Sequence, residues 1–279
     1  MDRKTQLLDA MFRMSVEQKG MIFILSLYEE FQKALANPNT NAEEIAAIMK
    51  KGPGMTTSVL KMANSSYYGL SKKVSTVKQA ISILGFSTIN RIFLSQSIVK
   101  VFNSDNNRTM NLLWEHSLAT AIASSEIAAK KHPELADAAF TAGLLHDIGK
   151  FILLGFLKVE MLTLYQSLET NPYQYSTNTE ERFFGINHQE VGSYFLEKWF
   201  FPDIVIRAVQ YHHSLSKETC DSCLPIAVAI GNNISKALEI GKSTSGLIEL
   251  LPEWIWDRVG VKESNLTVFI YVKTGYIKA

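Results

Sequence analysis

The sequence predicts an all-α fold, on three observations. Apolar residues recur at helical spacing in segment after segment. Pro, Gly and Asn punctuate those segments, and residues suited to capping a helix follow the breaks. The single stretch with strand-like composition, Leu266–Ile277, is rich in Val, Ile, Thr and Tyr, yet no second strand offers it a partner, so it too is assigned to helix.

In chain order, residues 1–15 are polar and mixed and read as a frayed start. From Glu17 to Ala36 the apolar positions Ile22, Leu25, Tyr28, Phe31 and Leu35 mark a helix, ended at Asn37-Pro38-Asn39 because Pro cannot continue it. In the next helix Thr40 or Asn41 is the cap, with Glu43 or Glu44 answering three residues on, and Gly52-Pro53-Gly54 is the stop. Met55–Ser65 turns Val59, Leu60, Met62 and Ala63 inward. Asn64, Tyr67, Tyr68 and Gly69 form a polar-aromatic turn whose rings pack back on the lobe. Thr76–Leu84 and Ser87–Phe102 are helices broken at Gly85-Phe86. The polar run 103–108 divides an N-terminal lobe, 1–107, from a second helical set, 108–279.

That second set comprises Met110–His132, Leu135–Phe156, Lys158–Thr170, a loop over 171–178 and a short helix Thr179–Gly185. His188–Trp199 follows, with Asn187 as cap and Glu190 at its third position. Pro202–His213 begins with Pro at its first position, and Leu224–Ile240 comes next. Trp254 and Trp256, beside Pro252, are read as clamping the tail onto the bundle.

With 279 residues, 47 % of them apolar and 20 % charged, the chain can bury one large core or two smaller ones. A formal charge of +1 gives no footprint for nucleic acid, and Lys72-Lys73 and Arg91 read as solvated surface. The only cysteines, Cys220 and Cys223, cannot build a disulfide framework and indicate a reducing interior. As half of a zinc motif they would need His212 or His213 to help complete a site, and the plainer reading is two loop thiols. The N-terminus places charges where a signal peptide needs its apolar core, and runs such as Met21–Tyr28 fall short of a membrane span. The expected location is therefore cytoplasmic, with neither membrane nor nucleic acid as partner.

The informative stretch is Thr141–Leu154, T-A-G-L-L-H-D-I-G-K-F-I-L-L, which sets His146 and Asp147 in an apolar run where each needs a partner. Of the six histidines, His132 reads as a solvated helix end. His116, His146, His188, His212 and His213 lie on predicted helices or at their ends. Any one of them alone needs only a hydrogen bond, and His212 and His213 also suit a helix C-terminus. Together they predict a shared site, since a bundle projects side chains from several helices inward. Neutral imidazoles and a carboxylate suit Fe, Mn or Zn, in a divalent or di-metal site with Asp147 as bridge, able to activate water toward a phosphoester. Lys150, four residues after His146 and so on the same helix face, is the candidate phosphate contact. Asp147 and Lys150 are thus the catalytic candidates.

Gly143–Lys150 (G-L-L-H-D-I-G-K) resembles the signature of the HD superfamily of metal-dependent phosphohydrolases, and Leu113–Ser117 (L-W-E-H-S) resembles the helix giving its first histidine. Leu60–Leu70, Val77–Gly85, and Asn187–Pro202 followed by Tyr211-His212-His213 resemble, more specifically, the HDOD family of bacterial signalling output domains. The resemblance spans about residues 17–215. It implies an all-α fold in which an N-terminal helical lobe packs on a degenerate HD-type bundle. It also implies metal-ligand positions at His116, His146, Asp147, His188 and one of His212 and His213. Two departures stand out. Asn232 occupies the place of a final Asp and is a weaker, neutral ligand. Ser214-Leu215-Ser216 follows His212-His213, where the cyclic-dinucleotide phosphodiesterases of the superfamily run from His-His-Glu to Gly-Tyr-Pro. The reading is a regulatory module acting through signalling-protein partners, with a nucleotide ligand open and a metal site that is not catalytic. The alternative is a metal-dependent phosphohydrolase acting on a nucleotide or phosphodiester. No receiver, cyclase or DNA-binding segment accompanies the domain, so it reads as a stand-alone output module.

Overall fold

Helical periodicity becomes helices throughout, and no strand occurs among the described residues of this computed structural model, which are 3–261 apart from 18, 53, 66–68, 103–107, 171–175, 244 and 246. In order they are α1 (Arg3–Glu17), α2 (Lys19–Ala36), α3 (Ala42–Lys51), α4 (Met55–Ala63), α5 (Val77–Phe102), α6 (Arg108–Ala129), α7 (Ala136–Leu145), α8 (Ile148–Phe156), α9 (Lys158–Thr170), α10 (Ser176–Phe184), α11 (His188–Lys198), α12 (Asp203–Tyr211), α13 (Leu224–Ala237) and α14 (Trp254–Val259). A 3-10 turn, Pro133–Leu135, precedes α7. The expected features at Tyr67, Tyr68 and Leu266–Ile277, and the side chains of Ile22 and Leu25, lie outside the described residues.

The chain divides into two units, Met14–Ser104, and a second made of the residues up to Arg13 and those from Asp105 on. The division near residue 105 lies close to the polar run, but the first residues depart from expectation. They form α1 rather than a frayed start, because Leu8 and Met11 bury one stripe of it. Phe12 meets Phe195 edge-on at 5.4 Å and Asp9 accepts from the Tyr194 hydroxyl, so residues 1–13 group with the second unit and not with a lobe 1–107.

In the Met14–Ser104 unit, Asn41 is the cap that forms, its side chain accepting from the Glu44 amide. Phe31 of α2 stacks on Phe93 of α5 at 4.4 Å, with Ile45, Met49, Met55 and Val59 filling in around them. The expected break in α5 falls at Gly85, whose φ of 79° and ψ of 163° no helix contains. Asn64 closes the loop after α4: its amide donates to the Leu60 and Val74 carbonyls and its oxygen accepts from the Val74 amide.

In the other unit α6 packs against α7 and α13, and α8 against α11. Gly149 makes the second contact possible, since a Cβ there would lie 2.0 Å from the His188 carbonyl oxygen. The predicted single helix Leu135–Phe156 is in fact two, interrupted at His146 and Asp147. The stretch Pro133–Phe156 is long and apolar enough on average to cross a membrane, contrary to the sequence reading of shorter runs, yet 83 % of that window is buried inside the protein. At α11, Asn187 and Glu190 form the expected reciprocal cap, whereas Pro202 stands just before α12 instead of within it. Ile255 and Val259, not the half-buried Trp254 and Trp256, dock α14.

Candidate metal centre

The break between α7 and α8 is what builds the site. It makes His146 the last, capping residue of α7 and Asp147 the one that precedes α8, and both are fully buried. His116 arrives from α6, His188 from the first turn of α11, and His212 and His213 from the end of α12. Two groups share Asp147: His116 with His146, and His188 with His212 and His213. In each group one ligand atom per residue lies within 4.8 Å of the others. The sequence-predicted residues therefore converge on one place, with Asp147 between the two halves.

Four histidines are oriented alike. His146 donates from Nδ1 to the Gly143 carbonyl at 2.7 Å, and His212 from Nδ1 to the Val209 carbonyl at 2.7 Å. His188 donates from Nδ1 to Glu180 Oε2 at 2.7 Å, and His213 Nδ1 meets Glu249 Oε1 at 2.6 Å. Fixing Nδ1–H in this way leaves each Nε2 as a lone-pair donor, the arrangement that outer partners impose on metal-binding imidazoles. His146 Nε2 and His213 Nε2 are buried with no hydrogen-bond partner, an expensive state unless an ion meets them. His188 Nε2 lies 3.4 Å from Asp147 Oδ1 and 3.5 Å from His212 Nε2. This donor set fits a divalent cation.

His116 and Lys150 differ. His116 Nε2 sits 3.0 Å from Asn232 Oδ1, so Asn232 bonds a neighbouring imidazole. Lys150 is 1 % exposed, and its ammonium lies 2.8 Å from Asp147 Oδ1 and 2.9 Å from Oδ2, with Ser243 Oγ a further 2.9 Å contact. Lys150 stands three residues after Asp147, a spacing at which helical neighbours meet, and pairs with that carboxylate. Its charge is directed to that carboxylate.

Burial disfavours every charge here, and neighbours decide the outcome. It pushes His116 down to about 3 and His213 to about 4, the latter against the pull of Glu249. Burial and the surrounding imidazoles hold His212 well below the usual histidine range. For Asp147 burial opposes ionisation, but His146 and Lys150 outweigh it and keep the carboxyl well below the usual carboxylate range. Glu249 behaves likewise: burial raises it, and His213 and Lys236 bring it down to about 2.

Four participants escaped sequence reading. Glu180 orients His188, Glu249 orients His213, Lys236 pairs with Glu249 at 3.1 Å, and Ser243 donates to Asp147 Oδ2 at 3.2 Å. Glu249 carried a faint signal, a lone acid within L-I-E-L-L-P; Glu180 sits in the polar run S-T-N-T-E-E-R and carried none. Cys220 and Cys223 are buried thiols, raised by that burial, and join neither ligand group. His132 is partly exposed beside Glu134.

The HDOD domain model matches residues 23–215. The chain belongs to the HDOD family. An uncharacterized protein of Treponema pallidum (strain Nichols) is 24 % identical over 190 residues, which are 67 % of this chain and 36 % of that protein. Among solved structures, a candidate signal transduction protein from Marinobacter aquaeolei VT8 superposes with a TM-score of 0.74 at 18 % identity, over 91 % of this chain and 57 % of that one. An HDOD domain protein of unknown function from Geobacter sulfurreducens gives 0.72 at 23 % identity, over 91 % and 88 % of the two chains. A candidate phosphohydrolase from Shewanella amazonensis SB2B gives 0.70 at 18 % identity, over 96 % and 95 %. At these identities the likeness shows the fold. The HDOD match ends before Asn232, Ser243 and Glu249, so part of the site's surround comes from sequence beyond it.

Proposed function

We propose that this chain is a cytosolic bacterial regulatory module of HDOD type, which acts by contact with signalling proteins and holds a divalent cation without hydrolysing a phosphoester. The observation that carries this reading is the Lys150 ammonium set on both oxygens of Asp147. A cation inside the protein already answers the bridging carboxylate, so the site is stable in a state that is not committed to chemistry. Asn232 supports the same reading, because it leaves His116 a neutral partner where a carboxylate would help hold a second ion. His188, His212, His213 and Asp147 would hold the cation, with His146 beside them. When bound, it would supply a Lewis acid. The chain's own contribution is to fix four imidazoles by their Nδ1 atoms and to exclude solvent.

The rival reading, a metal-dependent phosphohydrolase, draws on one observation: two ligand groups sharing Asp147. Turnover of bis-p-nitrophenyl phosphate and of nucleotides, measured with Mn-, Fe- and Zn-loaded protein, separates the two. The module reading predicts rates equal to those of His146→Ala. Turnover that disappears in His146→Ala would replace it with the hydrolase.

A further inference from the structure

After α13 the chain crosses back over the site. Glu239 and Gly241 adopt positive φ, 53° and 64°, and turn it sharply. Glu239 is the left-handed residue that closes α13, with the Ile240 amide donating to the Ser235 carbonyl at 3.1 Å, and glycine takes positive φ without strain. Gly241 then lies directly on α6: a Cβ there would stand 2.3 Å from both the His116 nitrogen and the Leu112 oxygen, and the Lys242 amide donates to that same oxygen at 2.9 Å. Ser243 reaches in to Lys150 and Asp147. Further on, Glu249 takes His213 and Lys236, and Lys236 also donates to the Leu247 carbonyl at 3.1 Å. The far end is clipped by one side chain outside the ligand set. Asn233 donates to the Glu249 carbonyl at 2.8 Å and accepts from the Glu249 amide at 3.0 Å.

We propose that the segments 238–243 and 247–251 form a strap that gates the His/Asp site, withholding it from divalent cations when docked and admitting them when released. The grip on the site is polar, no large apolar side chain is buried among the strap's described residues, and Ile248 and Leu250 are exposed. A segment that buries few apolar side chains opens more readily than the helices beneath it. The strap also contributes Ser243, which donates to Asp147 Oδ2 and accepts from Lys150. Release would therefore open the entrance and free that carboxylate oxygen of one contact that an incoming ion must displace.

This inference rests on the cation-holding reading above, and its test separates the two. Metal-free protein is treated with diethyl pyrocarbonate, and modification of each histidine is followed by peptide mass, with the partly exposed His132 as internal reference. In the wild type, His146, His188, His212 and His213 should react slowly relative to His132. In Asn233→Ala, which removes both clip bonds, they should react about tenfold faster or more with His132 unchanged. Equal protection in the two proteins overturns the strap. Hydrogen exchange on the wild type tests it without a variant: the Lys242 and Glu249 amides should exchange ahead of α6, α7 and α13, and exchange only together with them would overturn it. Co2+ binding at equilibrium tests the other reading. Binding with unchanged carbethoxylation removes the strap alone. Accelerated carbethoxylation without Co2+ binding removes the cation and keeps a strap that guards a polar pocket.

Discussion

The two units solve the same problem with opposite interiors. The Met14–Ser104 unit closes on stacked Phe31 and Phe93 with aliphatic neighbours, and its buried polar side chains among the described residues are serines. Ser95 and Ser97 return their hydroxyls to carbonyls four residues back. The unit built on α6–α13 instead buries Asp147, Lys150, Glu180 and four histidines at its centre. An apolar core tolerates exchange of similar shapes, because volume is most of what it must satisfy. A charged one tolerates little, because every member removed strands another. The cost of the second interior is what marks it as the candidate site.

The largest effect should come from Lys150→Met. It leaves Asp147 buried and unpaired and should cost about 3–5 kcal/mol. All four tryptophans lie in the second unit, so urea unfolding followed by tryptophan fluorescence reports on it. Added Zn2+ or Mn2+ should restore more stability to this variant than to the wild type, since binding stabilises by linkage and the competing ammonium is gone. Phe93→Ala should cost a similar ~3–5 kcal/mol in the other unit, seen by near-ultraviolet circular dichroism. There neither metal should bring any rescue. If metal rescued both variants equally, the contrast between the interiors would fail.

Acid should separate the units next. His116 and His213 are held to about 3 and about 4 in the folded state but return to 6.5 when unfolded. Between those values the unfolded chain binds more protons, so stability present above pH 6.5 is lost as pH falls. Glu249, at about 2 folded against an ordinary 4.5, adds a further loss below 4.5 with the same sign. The tryptophan-reported urea midpoint should therefore fall steadily from pH 7 to 4, while the protection of the core amides around Phe93, corrected for the intrinsic pH dependence of exchange, changes little. A smaller effect belongs to Asn64→Ala, which strips three hydrogen bonds from the loop after α4 and should cost about 1–3 kcal/mol, read by hydrogen exchange of that unit.

Helix existence and order were legible because periodicity and caps are local. Asn41, Gly85 and Asn187 did what their residue types do anywhere. The clustering of His116, His146, Asp147, His188, His212 and His213 was legible too, since His and Asp within apolar helices have few reasons to be there. What sequence could not show was arrangement. Apolar flanks on both sides read as one helix through His146-Asp147, and only the structure shows the break there and the pairing of Lys150 with Asp147. The partners from distant segments, Glu180, Ser243 and Glu249, were invisible for the same reason, as their roles depend on where the chain returns. The polar start misled because a helix needs only one apolar stripe to dock, and Leu8, Met11 and Phe12 suffice.

The most direct test of the charged interior as a cation site is elemental analysis of wild-type protein purified without chelator, beside the His146→Ala/Asp147→Ala double variant. Stoichiometric Fe, Mn or Zn in the wild type, lost from a folded variant, is the result predicted here. A metal-free wild type that takes up none of these ions on dialysis would contradict it, and would make the buried histidines and Asp147 a purely structural core.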